Sequence, residues 1–419
     1  MIHWTVSACE RAIDRPPYIV IGPDNREIQD EISVEATFIE QVERLGTGHA
    51  VLQVADQLQG LADLILVVHA DLPLLRSSSL QRLVEIQSTN TGPITLLVAH
   101  SDQSRAFGRV VRNQEGQVVE IVEEAHATPD QLALTELNVG AYCYRADWLW
   151  EKLPILPLSP KGEYYLTDLI AMAVEAGEEV AVSHVEVVDE MIGINTREHL
   201  AEAEAALRRE INRNWMRAGV SMIDPDSTYI GPDVQIGQDT ILYPNTILEG
   251  DTTVGLGCRV GPNTILRDTK LGDRCVVEVS VLEDAILEND VDVGPFAHLR
   301  RGAHLCDGVH VGNFGEIKES VLGPGVKMGH FSYVGDTTIG EGANIGAGAV
   351  TCNFDGERKH RTEIGPGAFI GSATMLVAPV QIGRDAHTGA GSVVTKNVPD
   401  GTMAVGIPAR VIRKVKDRD

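Results

Sequence analysis

Between Val293 and Thr362 the chain carries Arg300, Lys318, His330, Tyr333, Asn344, Asn353 and Lys359, side chains that bind phosphate or move a proton. Guanidinium and ammonium groups neutralise phosphoryl oxygens through charge-assisted hydrogen bonds. Histidine, with an ordinary pKa near about 6.5, is suited to taking up a proton at neutral pH. His330, in MGHFSY amid the other groups, is the candidate base. The apolar residues between them recur at every sixth position, as Val293, Leu299, Leu305, Val311 and Ile317, then in shifted phase as Leu322, Met328 and Val334. The period describes a scaffold, and the polar groups carried on it describe a site.

The same period holds on both sides of this stretch, at Ile236, Leu242, Leu248, Val254, Val260 and Leu266 before it, and at Ile364, Ile370, Leu376, Ile382 and Val394 after it, with Thr388 breaking the run. A six-residue repeat cannot be a helical face. It fits one flat side of a triangular coil, three repeats per turn, whose apolar residues point into a narrow axis. Over roughly 170 residues this predicts about nine to ten coils of a parallel β-helix. Gly or Asn after the apolar residue suits tight corners, where positive φ is often required. A smooth prism has no groove of its own, so TCNFDGERKHRT, which interrupts the period between Val350 and Ile364, is expected to project as a loop bearing Asn353, Lys359, His360 and Arg361.

Ahead of the repeats, HLAEAEAALRREINRNWMRAG places Leu200, Ala203, Leu207, Ile211 and Trp215 on one helical stripe, with Gly219 where a C-cap belongs. This predicts a helical arm of about 30 Å and three regions: 1–198, a connector over 199–222, and 223–419. In the first region, IHWTVSACERAI has helical spacing. YIVIG, LILVVHADLPLL, ITLLVAH, NVGAYCY and EVAVSHVEV read as strands, GRVVRNQEGQVVEIVEE as a hairpin around Glu115-Gly116, and FIEQVERLGTGHA as a loop entering a helix near Gly46. Alternating strands and helices predict an α/β domain with a mostly parallel sheet. Ligands of such sheets bind beyond the carboxyl ends of the strands. Asp71, read as the end of a strand, stands where a metal or ribose ligand would, and a helix N-cap is its plainer reading.

A net charge of −25 excludes an extended nucleic-acid surface. The six cysteines form no C-x-x-C pair and are expected to be buried and reduced. No run reaches the approximately 18 apolar residues of a membrane span, and no signal peptide opens the chain. A soluble, cytoplasmic protein is expected.

LGTGHA, HADLPLL, FGRVVRN, IVEE, ELNVGAY, GEYYLTDL and IGINTREHL occur in the order found in sugar-1-phosphate nucleotidyltransferases. The chain most resembles the bifunctional N-acetylglucosamine-1-phosphate uridylyltransferase / glucosamine-1-phosphate acetyltransferases. The resemblance implies that Gln41, Gly46 and Thr47 face the uracil of UTP, that Asp71 and Asn195 hold Mg²⁺, and that Gly108, Glu123 and Asn138 contact the sugar nucleotide. Ala70 replaces the usual Gly before the metal Asp. The family pattern also has a first strand and a Gly-rich loop with a basic residue, which this sequence lacks. A truncated start, unpaired edges on the neighbouring strands and an incomplete uridylyl site are therefore expected.

GPFAHLRRG, HVGNFGEIK, MGHFSYVGD, NIGAGAVTCNFDG and KHRT resemble the acetyltransferase half of the same family in order and spacing. The resemblance implies an α/β, Rossmann-like nucleotidyltransferase domain followed by a left-handed parallel β-helix of hexapeptide repeats. It makes His330 the base, with Arg300, Lys318, Tyr333, Asn344 and Lys359 binding the sugar phosphate. Asn353, Phe354, Ser372 and Ala390 would line the acetyl-CoA site. Phe354 stands where Tyr is frequent, and Ile407 where an arginine would meet the coenzyme, leaving Arg410 as its substitute. A homotrimer, with the acetyl site formed between prisms, is implied. The expected function is synthesis of UDP-N-acetylglucosamine for the bacterial envelope. The rivals are an acetyltransferase for another sugar phosphate and a non-catalytic trimeric scaffold or sugar-nucleotide sensor.

Overall fold

The computed structural model describes residues 1–25, 27–32, 34–102 and 107–415. The chain forms two compact units, 1–207 and 208–419.

In the first unit, helix α1 (Ile2–Ile13) leads to strands β1 (Tyr18–Ile21) and β2 (Thr37–Glu40), which pair in parallel. The segment Phe38-Ile39-Glu40, expected as loop, is thus strand. Strands β3 (Leu64–Val68), β4 (Ile94–His100), β5 (Arg109–Arg112), β6 (Val118–Val122), β7 (Glu136–Arg145) and β8 (Val180–His184) form a six-stranded sheet. It is mixed, and not mostly parallel as expected: only β4 with β8 is parallel, while β3, β4 and β5 all run antiparallel to β7. For β5 and β6, which are also antiparallel, the cause is connection length. Parallel neighbours need a crossover of about a dozen or more residues, usually helical. Between β5 and β6 there is only a turn, in which Gly116 at φ 81° donates to the Asn113 carbonyl. Only short helical turns separate β6 from β7.

Alternate residues of the central strands feed two core layers. Leu96, Val98, Tyr142 and Tyr144 face one layer, and Leu97, Ala99, Ala141 and Cys143 the other. Among the described residues β1 pairs only with β2, and β3 only with β7. Helix α1 packs on both, Val6 against Ile19 and Ile21, and Ala8 with Cys9 beside Leu64 and Leu66.

A helix over Arg197–Arg217 begins in the first unit, burying Ala203 and Ala206 against Ile192. Leu200, expected on the buried stripe, is exposed. Farther on, Ile211 and Trp215 pack on the core of the second unit. The helix ends as expected: Gly219 takes φ 100° and the Val220 N–H donates to the Trp215 carbonyl, a Schellman closure.

The second unit is a three-sided parallel β-helix. Its sheets hold ten, nine and twelve strands. Coils run from 16 to 18 residues except the one that carries the interruption, where Val350 pairs with Met375, and the shorter ones shift the phase of the six-residue repeat. Leu248, Leu266, Leu282, Leu299 and Ile317 stack in register down the ten-stranded sheet, all fully buried. Thr388 breaks the apolar run without an unpaired group, because its hydroxyl accepts from the Gly371 N–H and bonds Thr374. The final strand Ala409–Lys414 folds back antiparallel on Thr402–Gly406. All six cysteines are free, but Cys9, Cys306 and Cys352 are only half-buried, which departs from the expectation of fully buried thiols. No helix of the described residues is long and apolar enough to cross a membrane.

Leu299→Ala would leave a cavity between Leu282 and Ile317. We expect it to destabilise the second unit by about 2–5 kcal/mol, read as a lower urea midpoint for that unit's transition.

Candidate functional site

Two groups of candidate residues lie in the β-helix and one in the first unit. The first group occupies the ten-stranded face. Arg300 follows Leu299 on one coil, Lys318 ends the strand Gly315–Lys318 on the next, and Tyr333 lies in Ser332–Gly335 on the one after. Arg300 Nη1 donates to Glu316 Oε1 at 2.8 Å. Lys318 pairs with Gly335 across the coils. A Cβ on Gly335 would fall 2.5 Å from the Tyr333 hydroxyl oxygen and 2.7 Å from Asn353 Nδ2. Its absence lets both polar tips lie over the backbone next to Lys318. Asn353 is buried, and its Nδ2 donates to Asp336 Oδ2 at 2.5 Å.

Lys359 completes this face. The segment after Asn353 turns back on itself, with Phe354 bridging Lys359 and the His360 N–H donating to the Asn353 carbonyl at 2.7 Å. Asp355 pins the turn by accepting the N–H groups of Glu357 and Arg358 and facing His360 Nε2 at 2.6 Å. The Arg358 N–H, His360 and the Glu357 N–H hold the Asp355 carboxyl well below the usual carboxylate range. The expected loop is therefore a hydrogen-bonded hairpin that presents Lys359. The neighbouring Lys359 lowers the Lys318 ammonium from its ordinary value, and the Arg300 guanidinium adds to the effect. Three cations thus converge on one face, an arrangement that an anion relieves.

The second group lies along the corner where the ten-stranded face begins. Asn313, His330, Ser372 and Ala390 occupy equivalent corner positions on their coils, each following the glycine of the corner: Gly312, Gly329, Gly371 and Gly389. His330 is exposed, with Nδ1 3.4 Å from Asn313 Oδ1. With the Asn313 carbonyl as acceptor the proton rests on Nδ1, and Nε2 carries the free lone pair. Ser372, Ala390 and Phe354 are exposed. Asn344 is not brought to this face; it lies on the adjoining twelve-stranded sheet, between Lys327 and Phe369. Arg410 is exposed on the terminal hairpin and donates to the Ala409 carbonyl, and Ile407 lies exposed at the turn.

In the first unit Gly46, at φ 99°, caps the helix Thr47–Leu52; a Cβ there would lie 2.7 Å from the Tyr164 carbonyl oxygen. Gln41 Nε2 donates to the Gly46 carbonyl at 3.2 Å, and Thr47 Oγ1 accepts the Leu166 N–H. Strand β3 ends at Val68, short of the expected Asp71, which lies in the turn that follows. Asp71 caps no helix, since the next begins at Ser77. Its Oδ2 would lie 3.6 Å from a Cβ on Gly193, and its carbonyl accepts the Ile194 N–H, which sets exposed Asn195 one residue further on. The Asn138 N–H donates to the Gly108 carbonyl, and its Nδ2 to the Tyr142 hydroxyl at 2.6 Å. Glu123 Oε1 accepts from Thr167. Desolvation lowers the pKa of His69, while Asp71 and then Glu123 oppose that shift, so both carboxylates act on one ring. Burial, then Glu123, raises the Asp168 carboxyl.

Sequence reasoning missed Asn313, Glu316, His69 and Asp168. Asn313 precedes His330 by 17 residues, a spacing with meaning only once the coil length is known. Asp168 stands in the quoted GEYYLTDL segment, whose motif order marked the region without singling it out.

A nucleotidyl transferase family profile matches residues 1–210, and a bacterial transferase hexapeptide profile of six repeats matches 361–396. The latter agrees with the left-handed β-helix of such transferases. The chain is 44% identical over 390 residues to the bifunctional protein GlmU of Heliobacterium modesticaldum, covering 93% of this chain and 85% of that one. It is 40% identical over 418 residues to the bifunctional protein GlmU of Pelobacter propionicus, covering 99% and 91%. These matches give no support to the expected truncation.

The convergence of the three cations can be read directly. In Lys359→Gln, the Lys318 ammonium should titrate at higher pH than in the wild type, followed by NMR of its Cε. Inorganic phosphate should move the wild-type titration the same way. An unchanged titration would show that the cations are not coupled.

Proposed function

Because the chain belongs to the family of bifunctional GlmU proteins, we propose that it makes UDP-N-acetylglucosamine by two transfers, acetylation in the β-helix and uridylylation in the first unit. The observation that carries the acetylation reading is the cluster of Arg300, Lys318 and Lys359 beside Tyr333 and Asn353. A phosphate docked on the cations leaves the sugar ring between that face and the His330 corner. Glucosamine-1-phosphate meets this chemistry with its phosphate, its hydroxyls for Tyr333, and an amine.

That amine arrives largely as an ammonium, which has no lone pair for attack. His330 Nε2 accepts one of its protons while Asn313 steadies the ring through Nδ1. The freed nitrogen attacks the thioester carbonyl of acetyl-CoA, forming the C–N bond. The C–S bond then breaks, and the coenzyme leaves as a thiol after taking up a proton. Ser372 and Ala390, on the His330 corner, are assigned to the coenzyme together with Asn353, Phe354 and Arg410. Asn344, on the adjoining face, fits a site completed by a second prism. We therefore infer a homotrimer. Its support is the exposed aromatic row beside His330, in which Phe296 and Phe314 stack at 5.2 Å and Phe331 follows on the next coil.

In the first unit Gln41, Gly46 and Thr47 are assigned to the uracil, and Gly108, Glu123 and Asn138 to the sugar nucleotide. Asp71 and Asn195 offer only oxygen donors of the kind Mg²⁺ takes, and the small Gly193 leaves space beside the carboxylate. Mg²⁺ held there would neutralise phosphate charge as pyrophosphate leaves. The first unit's own residues position the base and sugar so that a phosphate oxygen of N-acetylglucosamine-1-phosphate faces UTP in line.

The two half-reactions should separate by mutation. His330→Ala should lower coenzyme-thiol release with glucosamine-1-phosphate by about 10²- to 10⁴-fold while pyrophosphate release from UTP is unchanged. Asp71→Asn should do the converse, by at least about 10- to 100-fold. Full acetylation by His330→Ala would remove that residue from the mechanism. Sedimentation of the wild type should give the mass of a trimer, and Phe314→Glu should shift it toward smaller species.

A further inference from the structure

Away from the ten-stranded face, the nine-stranded sheet turns a corner at a position that is glycine on neighbouring coils: Gly255 and Gly272 before, Gly323 and Gly340 after. Side chains are crowded out there, because a Cβ on any of these glycines would lie 2.4–2.9 Å from the adjacent coil. On the two intervening coils the position holds Glu288 and Cys306 instead, recognisable by the same ladder hydrogen bond, Glu288 N–H to the Leu305 carbonyl and Cys306 N–H to the Leu322 carbonyl. His304, two residues before Cys306, sets Nε2 2.9 Å from Glu288 Oε1. The donor atoms of Glu288, His304 and Cys306 lie within 4.8 Å of one another, and all three residues are half-buried.

We propose that Glu288, His304 and Cys306 form a binding site for a borderline-soft divalent cation, Zn²⁺, that ties two successive coils together. One imidazole nitrogen, one thiolate sulfur and one carboxylate oxygen is a donor set Zn²⁺ takes, with a water completing the tetrahedron at bond lengths of roughly 2.0–2.3 Å. Sulfur disfavours Mg²⁺ and Ca²⁺, which select oxygen. The surroundings orient the carboxylate: the Asp307 N–H donates to Glu288 Oε2 at 3.1 Å, and Asp307 Oδ1 accepts from both the backbone and the side chain of Asn289. Two other histidines on these coils show what sets the site apart. His298 faces Glu283 at 3.1 Å and His310 faces Asp292 at 3.3 Å, each a histidine beside a carboxylate. The pair at His304 alone among them gains a thiol, and it is the one cluster of three such donors found among the described residues.

The test uses the purified full chain in excess Mg²⁺, so that oxygen sites elsewhere are filled. Zn²⁺ is titrated against a chromogenic chelator, and Co²⁺ is added separately for its spectrum. The wild type should hold one tight Zn²⁺ per chain, and its Co²⁺ complex should show a thiolate-to-cobalt charge-transfer band. Cys306→Ser and His304→Ala should each weaken Zn²⁺ by at least about 100-fold, and the Co²⁺ band should vanish in Cys306→Ser. His298→Asn should retain both. Zn²⁺ should also raise the thermal midpoint of the second unit in the wild type and not in Cys306→Ser. Wild-type affinity no greater than that of both variants, or a Co²⁺ complex without the band, would overturn the proposal.

Discussion

The β-helix depends on the ladders of backbone hydrogen bonds that its strands make from each coil to the next. Every strand must find its partner one coil away, so the core residue of each strand stacks on its counterpart, as Leu282, Leu299 and Ile317 do. The regularity leaves little room at the corners, where glycines approach the next coil too closely for a Cβ. The same constraint makes chemistry additive along a column. Residues far apart in sequence become neighbours simply by occupying the same place on successive coils.

That is how like charges are kept together. Arg300, Lys318 and Lys359 would separate if they were on flexible segments, since each lowers the electrostatic comfort of the others. Two of them are fixed by coil register, and the third by a hairpin whose turn is held by Asp355 and His360. The cost of holding the cluster is met by the scaffold, and it is released when an anion arrives. Electrostatic preorganisation of this sort is what a site for a phosphorylated substrate needs. His330 follows the same logic. Its ring is steadied by Asn313 on the coil before, which leaves Nε2 open toward solvent.

The first unit organises its residues differently. Strand β7 touches β3, β4 and β5 and is buried along almost its whole length. Asn138 on this strand meets Gly108 ahead of β5, while Gly140 makes room for His69 beyond β3. Glu123 and Asp71 come from segments that follow different strands, and both act on the His69 ring. Here the candidate site is assembled by sheet topology, where the β-helix assembles its own by repetition.

Much of the β-helix was legible in the sequence because a six-residue apolar period has one structural solution, and TCNFDGERKHRT stood out as its interruption. The cationic residues and His330 were likewise visible as chemically apt types on that scaffold. In the first unit the apolar runs located most strands, but local pattern does not encode direction, and β7 runs antiparallel to β3, β4 and β5. Leu200 fitted the helical stripe yet remains exposed, since the neighbouring surface is met by Ala203 and Ala206. Sequence alone determined the repeat, the interruption and the identity of the reactive groups, all of which are local properties. Tertiary structure decided which of them meet. The pairing of Asn313 with His330, the gathering of Lys359 with Lys318, the placing of Asn344 on another face and the meeting of Glu288 with His304 and Cys306 all follow from coil length, which shifts between coils and is settled only when the strands pair.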